Sequence, residues 1–228
     1  MGRIEFAAST DERVTLDDLS VFLPSGSIGL SEAHVELTPG ARVLIVGAPG
    51  SGKTSLFRAL AGLWPWGAGR IGVPATARIM FMPKRPFIPD GALNDVLAYP
   101  AAPETFRDEQ FLEALTRVGL AYLAPNLQRK ARWDQELTSE EQLGVAFARL
   151  LLHKPDCVIV DEAIEALASK TRDAVFDIFA NELALTSVLA IGGPSAEAAR
   201  YARVVRLMFD SSGTRVARLG ELTGSAAE

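Results

Sequence analysis

Apolar and polar positions alternate through the first part of the chain. The alternation extends over residues 13–46, with turn signals at 24–27 and at 39–40. The run Arg42–Val46 is rich in β-branched and other apolar residues and ends at Gly47. This pattern predicts a hairpin-rich opening followed by a buried strand.

Apolar residues at helical spacing follow this opening. Leu56, Leu60 and Leu63 share one face of a helix predicted over 53–63. The pattern also predicts helices near 104–118, 139–153 and 170–183, strands over 77–82, 157–160 and 187–191, and mainly loop and turn over 83–103. Because strands alternate with helices, we expect an α/β fold whose parallel-type sheet is covered on both faces.

The helical block interrupts that alternation and predicts an inserted helical subdomain. We place it at about 94–154, within a single domain that extends over 1–228 and ends in a frayed tail at 221–228.

The composition narrows the classes of protein to consider. Hydrophobic residues make up 48% of the 228 residues and charged residues 22%, which is typical of a globular domain. The formal net charge of -5 gives no electrostatic footprint for nucleic acid, so we expect no nucleic-acid partner. The single cysteine, Cys157, excludes an internal disulfide, and the first residues do not resemble a secretory signal. No apolar run reaches the roughly 18 residues that predict a membrane-spanning helix.

A glycine-rich segment at 47–54 matches the phosphate-loop pattern G-x-x-x-x-G-K-[ST] at every fixed position. It reads Gly47, Ala48, Pro49, Gly50, Ser51, Gly52, Lys53 and Thr54, and Ser55 follows. Its glycines let successive backbone N–H groups point into one cavity, where they bind phosphate oxygens. Lys53 is expected to reach the β- and γ-phosphates, and the Thr54 hydroxyl to ligate Mg²⁺. Because a strand precedes the segment and a helix follows it, we expect ATP with Mg²⁺ to bind there.

An acidic pair, Asp161 and Glu162, ends the apolar run at 157–160. In phosphate-loop proteins an acidic residue at this place holds the metal ion or its water, which predicts a metal-binding role for Asp161. Glu162 is then the candidate base that polarises the attacking water. A solvated acidic turn is the alternative, and the phosphate loop argues against it.

Three further segments give the chain its resemblance to the nucleotide-binding domain of ABC transporters. They are 60–65, 81–93 and 146–155, and the resemblance extends over about 13–210. The segments 62–65 and 85–89 look most like the half-transporter branch of peroxisomal fatty-acyl exporters and bacterial peptide or vitamin B12 importers of the SbmA/BacA type. The resemblance implies a P-loop NTPase fold of ABC type, with a mixed sheet core, an antiparallel β subdomain and the inserted helical subdomain.

Four motifs depart from the family pattern that this resemblance implies. Lys84 stands where the family has a Gln that contacts Mg²⁺ and the attacking water. The family signature Leu-Ser-Gly-Gly-Gln reads Leu137, Thr138, Ser139, Glu140 and Glu141 here. Both glycines are lost, and Glu140 would bring a carboxylate near the γ-phosphate of the opposite subunit, where like charges repel. Ala168 replaces an Asp, and Gly193 occupies the position of the switch His.

The aromatic residue that stacks on adenine in the family is not marked by a motif. Phe22 is our candidate for it, with packing in the hairpin core as the alternative.

Two functions stay open from the sequence. The first is an ABC-type ATPase that energises a membrane transporter, with Glu162 activating water and Lys53 neutralising the γ-phosphate. The second is a regulatory ATP-binding module with little or no hydrolysis, which acts beside a competent partner domain. An unrelated NTPase such as a kinase is a third reading, against which the segment 146–155 argues.

The resemblance also implies partners and a location. The expected partners are the transmembrane domains of a transporter, in the same or a separate chain, and a second nucleotide-binding domain in a homo- or heterodimer. The expected location is the cytoplasmic face of a membrane.

Overall fold

The computed structural model of this protein describes residues 2–9, 11, 13–194 and 196–211. The predicted tail at 221–228 lies outside the described residues. The chain divides into two compact units. The first holds residues up to 81 together with 156–161 and those from 187 onward, and the second holds 82–155 and 162–186. The predicted single domain over 1–228, with a subdomain at about 94–154, stays a prediction.

Strands and helices alternate over much of the described chain. The strands are β1 Glu5–Ser9, β2 Val14–Leu23, β3 Gly26–Leu30, β4 His34–Leu37, β5 Arg42–Val46, β6 Gly67–Pro74, β7 Ile79–Met82, β8 Gly91–Ala92, β9 Lys130–Ala131, β10 Cys157–Asp161, β11 Ser187–Gly192 and β12 Arg203–Asp210. The α-helices are α1 Lys53–Leu60, α2 Leu93–Ala98, α3 Asp108–Arg117, α4 Trp133–Glu136, α5 Ser139–His153 and α6 Ser169–Ala180, and short 3₁₀ helices lie at Pro103–Thr105, Ala121–Asn126 and Ala196–Arg200. Every helix of the described residues is too short or too polar to cross a bilayer.

One mixed, ten-stranded sheet forms the first unit. Its strand order is β1-β6-β2-β3-β12-β5-β11-β10-β7, and β4 pairs with β2. The pairs β12–β5, β5–β11 and β11–β10 are parallel, whereas β2 pairs antiparallel with β3, β4 and β6. The predicted fold class, a mixed sheet with an antiparallel part, is confirmed.

The central parallel strands are apolar because both of their faces are covered. All residues of β10 and β11 are buried, as expected of strands inside a parallel sheet. Leu56, Phe57 and Leu60 of α1 join the same core cluster as β5 and β11. The predicted helix over 53–63 therefore exists but ends earlier, at Leu60.

Helices dominate the second unit. The predicted helix over 139–153 is confirmed as α5, whose inner face is buried. Its Phe147 packs edge-on against Phe179 with ring centroids 6.5 Å apart, within the range of about 4.5–7 Å that is typical of aromatic pairs. The helix predicted near 104–118 begins later, at Asp108, because Pro103–Thr105 forms a separate 3₁₀ turn and Arg107 is extended.

The prediction of mainly loop and turn over 83–103 is wrong at one place. The six residues Leu93–Ala98 form α2, and the carboxylate of Asp95 accepts a hydrogen bond from the N–H of Ala92 at 3.0 Å. The helix is too short to display a helical period, and nearby Gly and Pro residues conceal it.

Candidate nucleotide-binding site

The phosphate loop joins β5 to α1 in the first unit. Gly50 and Gly52 have φ angles of +77° and +92°, in the left-handed region that favours glycine. A Cβ atom at Gly47 would lie 2.4 Å from the Ser51 hydroxyl oxygen, and one at Gly52 would lie 3.0 Å from the side chain of Ile28. The glycines therefore let the loop curl where a side chain would collide.

Lys53 lies inside the curl of this loop. Its side chain is 9% exposed, and its Nζ donates hydrogen bonds to the carbonyl oxygens of Gly47 at 3.0 Å and Ala48 at 3.1 Å. The first turn of α1 contains no acidic residue. The cation and the N–H groups at the start of the helix therefore leave this place positively polarised and suited to an anion.

The Ser51 hydroxyl gives an independent test of whether a triphosphate fits this loop. Its Oγ is buried and has no hydrogen-bond partner among the residues that the structure describes. A buried polar atom without a partner is costly, and a phosphate oxygen would satisfy it. Ala48, Pro49 and Gly50 are exposed, so the loop is open to solvent on one side. The residues present fit a bound triphosphate.

The metal ligands predicted from the sequence occur at the same edge of the sheet as this loop. Asp161 ends β10 and is 7% exposed. The parallel strands β10, β11 and β5 point their carboxyl ends the same way, and the N–H of Gly47 donates to the carbonyl oxygen of Gly192 at 3.0 Å. Thr54 is exposed and Ser55 half-buried at the start of α1. Carboxylate and hydroxyl oxygens are hard ligands that suit Mg²⁺.

The candidate base, Glu162, lies in the second unit and is bonded there to Lys84. The Lys84 Nζ donates to Glu162 Oε2 at 3.1 Å. The side chains are 59% and 29% exposed, respectively. Glu162 has a φ angle of +52°, which is uncommon for a residue with a side chain. Lys84, which stands where the family has a Gln, is thus paired with Glu162, the carboxylate to which the resemblance assigns catalysis.

The signature-like segment forms the cap of α5. Thr138 is the N-cap residue, and its N–H and hydroxyl each donate to Glu141 Oε2 at 2.8 Å. The Thr138 oxygen in turn accepts the N–H of Glu141 at 3.3 Å, which completes a capping box. Ser139 is the first helical residue and is exposed.

Tyr122 adds a further hydrogen bond to Glu141. Its hydroxyl donates to Glu141 Oε1. This bond and the N–H of Thr138 hold the pKa of Glu141 below its usual range. Burial, followed by the bond to Glu141, raises the pKa of Tyr122 to about 12.

Glu140 contacts the start of α6. Its Oε1 accepts the Thr171 hydroxyl at 2.8 Å and the N–H of Ala168 at 3.3 Å. Ala168 is the N-cap residue of α6 and has no side chain able to cap it. The carboxylate of Glu140 thus accepts the N–H of the N-cap residue, as the N3 carboxylate of a capping box does. Two positions that depart from the family pattern are therefore in contact with each other.

The remaining predicted site residues have simpler surroundings. Gly193 directly follows β11 and is half-buried. Phe22 is half-buried in β2, whereas its neighbour Leu23 approaches the phosphate loop: a Cβ atom at Gly52 would lie 3.1 Å from Leu23 Cδ1. Successive residues of a strand point to opposite faces, so the stacking role of Phe22 gains no support and stays a prediction.

Sequence reasoning missed one buried cation. Arg149 of α5 is 6% exposed, and it donates to the carbonyl oxygens of Val96 and Phe87 at 2.8 Å each. Its Nη2 is buried without a hydrogen-bond partner in the described part of the chain. Burial lowers its pKa to about 10. The place of an Arg on the apolar face of a predicted helix was the signal that could have revealed it.

Known proteins resemble this chain over most of its length. The ABC transporter family profile matches residues 30–165. An uncharacterized ABC transporter ATP-binding protein of Haemophilus influenzae is 34% identical over 179 residues, which cover 78% of this chain and 30% of that protein. Mouse ATP-binding cassette sub-family D member 3 is 33% identical over 74% of this chain and 27% of its own length. The chain thus spans less than a third of these relatives.

Solved structures agree with this assignment at the level of the fold. A bacterial Atm1-family ABC exporter with ATP bound superposes with a TM-score of 0.73 at 22% identity, over 96% of this chain and 40% of that one. Because the family profile covers more than half of the residues, and the phosphate loop lies within the matched range, the chain belongs to the ABC transporter family as an ATP-binding domain.

Proposed function

We propose that this chain binds ATP with Mg²⁺ on its phosphate loop and, by hydrolysing it, energises a membrane transporter. The observation that supports the proposal best is the loop at 47–54, where Lys53 is enclosed by backbone carbonyls and the Ser51 hydroxyl is buried without a partner. ATP binding and hydrolysis are general properties of the family to which the chain belongs.

Each residue of the site has a distinct task in this proposal. Bound MgATP supplies the phosphoanhydride bond that is cleaved. Lys53 exchanges its two carbonyl partners for negatively charged oxygens, and Thr54 and Asp161 hold the metal ion. The carboxylate of Glu162 takes a proton from the attacking water. Ser51 and the backbone N–H groups of Gly50 and Gly52 orient the phosphates.

The proposed partners follow from the family. Transmembrane domains, in the same or a separate chain, would receive the energy, and a second nucleotide-binding domain would complete the closed dimer. This arrangement would place the chain on the cytoplasmic face of a membrane. The Haemophilus influenzae relative is named as an ABC transporter ATP-binding protein, and the solved structure is that of an ABC exporter.

The test separates binding from hydrolysis with two variants. Lys53→Ala should abolish calorimetrically measured ATP binding, because the enclosed cation is lost, while the exposed control Lys130→Ala should bind normally. Glu162→Gln should retain binding and lose steady-state hydrolysis by about 100-fold or more, with Glu109→Gln as the matched control. Undiminished turnover in Glu162→Gln would show that another group is the base.

A second function is favoured by the contacts of the signature-like segment. Thr138 and Glu140 are bonded to groups of their own chain, and Glu162 is paired with Lys84. In this alternative the chain is a regulatory module that holds ATP with little turnover and relies on a partner with an intact signature. Single-turnover hydrolysis with and without such a partner discriminates the two. Rapid hydrolysis by the isolated homodimer would contradict the regulatory function.

A further inference from the structure

Lys84, in the Pro-rich stretch 83–86, forms an ion pair with the candidate base Glu162. The contact joins its Nζ to Glu162 Oε2 at 3.1 Å across 78 positions of sequence, inside the second unit. Lys84 follows β7, and Glu162 follows β10. The ion pair therefore depends on the fold and not on neighbours in the sequence.

Two features limit the positions that the Glu162 carboxylate can adopt. The backbone of Glu162 is held at a φ of +52°, a conformation that persists where the surroundings impose it. The side chain is 29% exposed and ends at the Lys84 ammonium. Oε2 thus accepts a hydrogen bond from a cation.

This contact opposes the work proposed for Glu162. A base must offer an oxygen lone pair within hydrogen-bond reach of the proton that it takes. An ammonium donor on Oε2 occupies such a lone pair and stabilises the carboxylate where it is. A neutral side chain of similar length at position 84 would leave that oxygen more available.

We infer that Lys84 is a positioning residue that restrains Glu162 in a charge-paired arrangement and so limits the rate of hydrolysis after ATP has bound. This inference rests on the proposed role of Glu162 as the base. It assigns Lys84 no contact with the nucleotide. In this inference the slow step is the release of the Glu162 carboxylate from the Lys84 ammonium. The rate of hydrolysis therefore depends on the charge at position 84.

The exposure of Lys84 limits the size of the effect. An ion pair with one side chain 59% exposed is screened by solvent and weak. Its loss in Lys84→Gln should raise kcat by about two- to fivefold. The KM for ATP should stay unchanged, because neither side chain of the pair binds the nucleotide in this arrangement.

The experiment compares Lys84→Gln with Lys84→Arg, which keeps the charge, and with Lys130→Gln as an exposed lysine control. Single-turnover hydrolysis of radiolabelled ATP gives the rate, and a fluorescent ATP analogue gives binding independently. The Arg variant and the control should match the wild-type chain. The gain in Lys84→Gln should shrink at high salt, which screens the wild-type ion pair, and should vanish in the Glu162→Gln background.

Failure of the proposed function and failure of the restraint by Lys84 give different results. If the wild-type chain does not bind the ATP analogue, the proposed function fails. If it binds the analogue and Lys84→Gln hydrolyses ATP no faster than the wild-type chain, or Lys84→Arg gains as much as Lys84→Gln, the restraint by Lys84 is overturned. Thermal unfolding of each variant identifies any loss of folding, which the exposure of Lys84 makes unexpected.

Discussion

The contact between Glu140 and the start of α6 predicts that substitutions at 140 and 168 have coupled effects on stability. Glu140 accepts the N–H of Ala168, the N-cap residue of α6, and the Thr171 hydroxyl, while Ala168 itself has no capping side chain. Removing these two hydrogen bonds in Glu140→Ala should cost about 1 kcal/mol. For a chain of this length that corresponds to a fall in Tm of about 2–4 °C.

The second arm of the prediction adds a capping side chain to α6 itself. Ala168 has φ -60° and ψ 152°, which are the angles of a capping residue, so Ala168→Asp can accept N–H groups of the first turn. In the wild-type background this new carboxylate lies beside that of Glu140, and repulsion offsets the gain. In the Glu140→Ala background it should recover most of the lost ~1 kcal/mol. The two substitutions should therefore be coupled by about 1 kcal/mol.

A double-mutant cycle measured by urea and thermal unfolding tests this coupling. Glu109→Ala, which removes an exposed Glu in the first turn of α3, serves as the control and should show no coupling with Ala168→Asp. Additivity of Glu140→Ala and Ala168→Asp to within about 0.3 kcal/mol would refute the reasoning, since independent sites add to that accuracy. Glu140 would then be an exposed carboxylate whose contacts contribute nothing.

Two more predictions concern the second unit. Arg149→Met should lower the free energy of unfolding by about 2–4 kcal/mol, because two carbonyl oxygens lose a buried donor, and an unchanged Tm would contradict this. Tyr122→Phe should destabilise the chain at pH 7 by up to about 1 kcal/mol. The bond from Tyr122 lowers the pKa of Glu141 in the folded chain, so this stability is present above the unfolded value of 4.5 and is lost as the pH falls below it. Unfolding curves of the two chains should converge in acid, and a constant difference would show that Glu141 is not the partner that matters.

Local signals explain which parts of the fold could be predicted from the sequence. The loop at 47–54 carries its whole pattern in eight consecutive residues, and the run before Asp161 is apolar throughout because both faces of β10 are covered. By contrast, β6 contains three glycines in Gly67–Pro74 and gives no strand signal of its own. It exists because β1 and β2 supply its hydrogen bonds on either side.

The candidate site shows the same limit. The chemistry of Lys53 and Thr54 follows from their positions in a short motif. The partners of Glu140 and Lys84 are 31 and 78 positions away at Thr171 and Glu162, so only the fold brings them together. Periodicity and spacing describe neighbours within one turn or one strand, and cannot identify such pairs.

These distant contacts change what the departures from the family pattern mean. Taken one at a time, the residues at 84, 140 and 168 are three separate departures from the family pattern, each of which predicts weaker hydrolysis. In the structure Glu140 and Ala168 form one capping arrangement, and Lys84 forms an ion pair with Glu162. Restoring the family residue at 168 alone would add a carboxylate beside Glu140. Doing so at 140 alone would remove the acceptor of the Ala168 N–H and the Thr171 hydroxyl. We therefore expect changes at 140 and 168 to influence each other, whereas position 84 can be changed alone.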